Sequence, residues 1–181
     1  PVATAELKTD LTQNITDAIQ QYKKDRHPKD PKSREPEALL QFKTRALVHF
    51  AVSTDEVFMA TKLDGDKTFF LPFNLGRPDG YGGASAGNPA APPDYGYPTY
   101  YLWHEVWSKD VWLDILGNFL HLEVKTEVDA NTGAKTTKET LIFPRYHQLD
   151  AVQRLVNAAG DEGAGQAYLV QHSAGSGKSN T

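Results

Sequence analysis

Cysteine is absent from the 181 residues. That excludes disulfides and thiolate metal sites, and it fits a reducing cytoplasm. Long apolar runs are missing too, so nothing in the sequence reaches the roughly 20 residues that span a bilayer. The opening "PVATAELK" has neither a starting methionine nor the basic and apolar regions of a signal peptide. The chain therefore reads as a piece of a longer protein, soluble and without a membrane partner. Charge of one sign is also scarce, with 19 Lys and Arg against 23 Asp and Glu. This balance excludes a basic surface over the whole chain. One local exception is "YKKDRHPKDPKSR", where six Lys or Arg face two Asp. Such a stretch serves either as a solvated loop or as a phosphate-contacting patch.

Hydrophobic spacing supplies the expected elements. Val2 to Lys8 reads as a short strand. In "DLTQNITDAIQQYKKDR", Leu11, Ile15, Ala18, Ile19 and Tyr22 fall on one helical face. Asp10 or Thr12 is the expected cap, and Pro28 and Pro31 stop the helix. "RALVHFAVS" and "VFMATKL" flank "TDE" as a hairpin, and "KTFFLPF" adds a third strand. Between Asn74 and Pro98, Gly and Pro fill 11 of 25 positions, which predicts a long, mobile surface loop. "YYLWHEVW" and "DVWLDILGNFLHLEV" read as helices, with Trp103, Trp107, Trp112 and Phe119 as core or interface residues. Lys125 to Thr140 is polar and reads as a linker or an exposed hairpin. "PRYHQLDAVQRLVNAAG" reads as a helix with proline in its first turn and glycine at its end. Its buried face is Leu149, Val152, Leu155 and Val156. "QAYLVQH" then reads as a strand entering the final segment.

That segment, "QHSAGSGKSNT", has the composition of a phosphate-binding loop. Glycines permit a tight turn whose backbone N–H groups point at an anion. The lysine reaches the outer phosphates, and the hydroxyl binds magnesium. Ser173, Ala174, Gly175, Ser176, Gly177, Lys178 and Ser179 occupy those positions, with Ser179 as the Mg2+ ligand. The strict pattern wants glycine where His172 stands. Gln148, upstream of the loop, has an amide that suits an adenine edge, because it donates and accepts at once. An exposed helical glutamine explains it equally well.

At the other end, Glu6 and Lys8 are two apart. On a strand they share a face, so a carboxylate able to hold Mg2+ and an ammonium beside a scissile phosphate project together. A surface ion pair is the plain alternative.

Taken in order, "PVATAELK", "ITDAIQQYKKDR", "FKTRALVHFAVSTDEVFMATKL", "TFFLPFNLG", "AGNP", "YLWHEVW" with "DVWLDIL", "LIFPRYHQLDAV" and "YLVQHSAGSGKS" closely resemble the motor and nuclease subunit of type I restriction-modification enzymes. The resemblance covers nearly the whole chain. It implies an α/β protein: the rear part of a PD-(D/E)xK nuclease domain over residues 1–124, a linker or hairpin over 125–140, and the start of a RecA-like helicase (P-loop NTPase) domain over 141–181. It assigns Glu6 and Lys8 to the nuclease site, Glu6 as a metal ligand, and Gln148 with residues 173–179 to ATP. Many members carry a Gln-x-x-x-Tyr motif on the helix after the nuclease strand. Gln20, Gln21 and Tyr22 stand side by side here, so that spacing is not met; Gln20 and Tyr22 are the candidates. Mg2+ and ATP are the implied cofactors. Double-stranded DNA and the methylation and specificity subunits are the implied partners. The implied reaction is ATP-driven DNA translocation with cleavage of unmodified DNA. The alternatives are a superfamily 2 helicase or other P-loop NTPase without a nuclease, and a module without enzymatic activity.

Overall fold

The computed structural model describes residues 2–9, 11–77, 86–128 and 132–171. It is a mixed α/β structure with two small sheets. Strand β1 (Ala3–Leu7) leads through helix α1 (Ile15–Lys24) to β2 (Val48–Val52), which lies parallel to β1. The expected hairpin follows as β3 (Val57–Ala60), antiparallel to β2, and β4 (Leu71–Pro72) closes the order β1-β2-β3-β4. Every residue of β2 is buried, as a strand covered on both faces should be. Val48, Phe50 and Val52 face the larger core, with Met59, Phe73, Tyr101, Leu102, Ile115 and Phe143. Ala51 faces the opposite way, toward Ala18 and Tyr22 of α1. The sheet therefore carries α1 on one face and the later helical segments on the other.

Four local expectations change. Helix α1 starts at Ile15 and is capped by Asn14. The Asn14 Oδ1 accepts from the Thr16 and Asp17 amides at 2.8 and 3.3 Å, while Asp17 Oδ2 accepts from the Asn14 amide at 2.7 Å. This reciprocal box satisfies the free amides of the first turn, so Thr12 stays outside the helix and Leu11, expected on the buried face, is 90% exposed. Asp10 lies outside the described residues.

The stretch from Asp110 to Val124 is not one helix. Helix α2 (Lys109–Asp114) passes into a π-helical turn, Ile115–Phe119, whose last bond runs from the Leu120 amide to the Ile115 carbonyl at 2.9 Å. The chain then becomes β5 (His121–Val128), paired in antiparallel register with β6 (Lys135–Ile142). Gly117 and Asn118 are weak helix formers, and the cross-strand partner captures "HLEV". The described residues between Lys125 and Thr140 thus belong to a largely exposed strand pair. The preceding "YYLWHEVW" likewise contains a π-helical turn, Leu102–Val106.

Helix α3 (Tyr146–Glu162) begins after Pro144, with Arg145 as its cap residue, and ends at Gly163 with φ 78°. Gly160 lies inside the helix. Leu149 is buried, but Val156 is 64% exposed, because the main core takes up the start of the helix.

The fourth change is "QAYLVQ", which forms no strand in the described residues, and Leu169 is 93% exposed. A strand needs a neighbour for its backbone groups, and none of the described strands pairs with it. Of the Asn74–Pro98 segment, residues 78–85 lie outside the described residues. Its described flanks are pinned. Asn88 accepts from the Leu75 amide at 2.8 Å and donates to the Asp55 carbonyl at 2.7 Å.

Candidate functional site

Pleating puts Thr4 and Glu6 on the face of β1 that meets α1, and Lys8 continues the alternation one residue past the strand. Three contacts join β1 and the residue after it to α1 and the residues after it. Lys8 Nζ donates to Gln21 Oε1 at 2.6 Å. Arg26 Nε donates to Glu6 Oε1 at 2.6 Å, and the Glu6 side chain is mostly buried. Thr4 Oγ1 lies 2.8 Å from the Tyr22 hydroxyl. A fourth contact comes from the neighbouring strand, where His49 Nδ1 sits 2.7 Å from Thr4 Oγ1. Thr4 and His49 are opposed in the parallel ladder. Beside this face opens a cleft of about 750 Å³, lined by Glu6, Tyr22, Asp25, Arg26, His27 and the Asp30–Glu37 turn.

The electrostatics separate the core from the rim. Burial pushes the His49 ring down to about 4, so it is neutral at pH 7. Burial also pushes the Tyr22 phenol far above its ordinary value, opposed by the bond to Thr4. The Glu6–Arg26 ion pair sits at the rim, where the guanidinium stays partly solvated.

Of the expected residues, Glu6 lines the cleft, and Lys8, just past the end of β1, is not among its lining residues. Gln20 is exposed, and Gln21 is the glutamine that reaches Lys8. Tyr22 is 1% exposed, and its ring packs on His49 and Phe70. It belongs to the core under the site. Thr4, Arg26 and His49 were not read from sequence as site residues. Thr4 had a usable signal, the same alternation that paired Glu6 with Lys8. His49 had another, as the one polar residue inside the apolar run "LVHFAV". Arg26 had only its place in the basic stretch.

Glu6 by itself does not make a magnesium site. Among the described residues no group of three His, Asp or Glu side chains is placed to hold a metal, and the Glu6 carboxylate already accepts from Arg26. Gln148 is buried, and its Oε1 accepts from the Arg145 amide at 2.9 Å, capping its own helix. Residues 173–179, the expected phosphate loop, lie outside the described residues. Among the described residues no helix is long and apolar enough to cross a membrane. Comparison with known proteins gives no matching family model, no matching curated protein and no matching solved structure.

Proposed function

We propose that this chain is part of the motor and nuclease subunit of a type I restriction-modification enzyme. Residues 1–124 would belong to its PD-(D/E)xK nuclease domain and residues 141–181 to the opening of its first RecA-like motor domain. One observation carries the reading. Glu6 lines a cleft beside β1 and Lys8 follows two residues on, just past the strand's end, each held by a polar partner from α1 or the residues just after it. A carboxylate and an ammonium two residues apart along an extended chain suit phosphodiester hydrolysis. The ammonium donates to the non-bridging phosphate oxygens as negative charge builds. The carboxylate contributes one acidic ligand toward Mg2+, which the described residues do not complete. The ordered set of motifs, ending in the glycine-rich loop, supports ATP as the second cofactor and double-stranded DNA as substrate. Methylation and specificity subunits would choose the site, which accords with the lack of a chain-wide basic surface. A cytoplasmic location follows from that role.

The test uses the full-length subunit assembled with its methylation and specificity partners, on a plasmid carrying one unmodified site. Glu6→Gln and Lys8→Ala are expected to stop cleavage while DNA-stimulated ATP hydrolysis continues. Lys178→Ala is expected to stop both, because cleavage waits on translocation. Normal cutting by Glu6→Gln would refute the nuclease assignment and favour a helicase or NTPase without one.

A further inference from the structure

The Thr4 hydroxyl is a single oxygen with two partners on different elements. Tyr22 comes from α1, one layer above the sheet, and His49 from β2, the next strand. Tyr22 and His49 are both 1% exposed. A hydroxyl has one proton to give and lone pairs to accept with. The neutral imidazole has one N–H and one bare nitrogen. Two proton arrangements are open to the Thr4 oxygen and its two partners. In one, Tyr22 donates to Thr4 and Thr4 donates to His49 Nδ1. In the other, His49 Nδ1–H donates to Thr4 and Thr4 donates to Tyr22. Either arrangement requires α1 to sit at one height along β1. A slip of one residue would leave buried polar groups unpaired, which costs more than the bonds themselves contribute.

The height of α1 matters because the same helix carries Gln21, which meets Lys8, and leads into Arg26, which meets Glu6. Gln21 is adjacent to Tyr22, and Arg26 follows one turn later. Thr4 precedes Glu6 on the same face of β1, and Lys8 follows just past the strand's end. The buried link and the two site contacts therefore form one row along β1.

We propose that Thr4 and His49 are positioning residues for the nuclease site: through Tyr22 they lock α1 against β1 and so fix where Glu6 and Lys8 point. The inference rests on the nuclease reading above. It differs from a purely structural role in what it predicts. A core defect would lower stability and every activity together. Loss of register at this row would lower cleavage and spare the motor.

Thr4→Val keeps shape and strand preference but removes the hydroxyl, and Thr4→Ser restores it. Each is built into the full-length subunit, assembled with its partners, and assayed for ATP hydrolysis and single-turnover cleavage on the one-site plasmid. Glu6→Gln runs in parallel. Misplacement of a reacting group by about 1 Å costs up to about a hundredfold in rate. The expected result is a loss of cleavage of about tenfold or more for Thr4→Val, ATP hydrolysis unchanged, and Thr4→Ser within about twofold of the parent. Should Thr4→Val fail to assemble, Tyr22→Phe removes one bond with the ring kept and is read the same way, with the parent tyrosine as its restored form. If the hydroxyl-free variant cuts at the parent rate while Glu6→Gln is dead, the positioning role is overturned and the nuclease reading stands. Parallel loss of cleavage and ATP hydrolysis, or Thr4→Ser no better than Thr4→Val, overturns it as well. Normal cutting by Glu6→Gln overturns both readings.

Discussion

Two short stretches look alike as text and differ in space. "VATAELK" and "QAYLVQ" each place a few apolar residues before a chemical motif. The first is a strand, hydrogen-bonded along its length to β2 and covered by α1. In the second Leu169 is 93% exposed and no strand forms. Intrinsic preference does not explain the difference, since Tyr and Val favour strands more than Ala and Glu do. The neighbour separates them. β1 has β2 beside it to receive its backbone groups, and Ala3 packs against the main core. A strand is a property of a pair, and a motif at its end is positioned only when the pair exists.

Predictions that probe this contrast run from large effects to small. Phe50, at the centre of β2, touches Phe73, Trp107 and Phe143 with ring centroids 5.6, 5.6 and 5.9 Å apart. Phe50→Ala is expected to lower stability by about 3–5 kcal/mol, read by urea denaturation. A loss below about 1 kcal/mol would show that the β1–β2 core is not the stable unit.

His49 gives the region a pH dependence. Its pKa falls from an ordinary 6.5 to about 4 on folding, so the unfolded chain binds the proton more readily. Above pH 6.5 the ring is neutral in both states and costs nothing. Between pH 6.5 and 4 stability falls, by about 3 kcal/mol in all. The difference in unfolding free energy between the parent and His49→Gln should therefore shift by about that amount across this window. A flat difference would mean that the ring is not held neutral.

Tyr22→Phe removes the phenol that bonds the Thr4 hydroxyl and is expected to cost about 1 kcal/mol. Arg26→Gln removes a rim ion pair whose arginine side chain is 41% exposed. Its expected cost is below about 1 kcal/mol and shrinks with added salt. A cost above that of Phe50→Ala would mean that polar contacts dominate the unit. Last, Leu169→Ala should change stability by no more than about 0.5 kcal/mol. A loss of several kcal/mol would show that this segment is packed after all, and the contrast with β1 would collapse.

The helix cap shows how far local reading carries. The pattern around α1 was legible, since Ala18 and Tyr22 are buried as their spacing requires. The start was misplaced because Asp10, Thr12 and Asn14 are all good caps by type. Asn14 has Asp17 three residues on to complete a box, and Asp10 with Gln13 offers the same spacing in the sequence. No comparable signal separates helix from strand in "HLEV", which pairs with a segment beginning more than ten residues later. The site divides in the same way. Glu6 and Lys8 follow from alternation along one strand. Gln21 was preferred over Gln20, and His49 joined the row, only when α1 and β2 were set beside β1.

By itself the sequence determined the elements whose signals are local: the alternation of β1, the helical face ending at Tyr22, the apolar run of β2 with its hairpin partner β3, and a chain without thiols or a spanning helix. The tertiary structure decided which side chains meet. It put Arg26 on Glu6, gave Gln21 to Lys8, buried Tyr22 and His49 around the Thr4 hydroxyl, turned "HLEV" into a strand and left "QAYLVQ" without one. The reason is physical. Periodicity records which face a residue occupies, and the sequence carries it over a few positions. A hydrogen bond or a strand pairing depends on where a second element lies, and that is set only when the whole core closes.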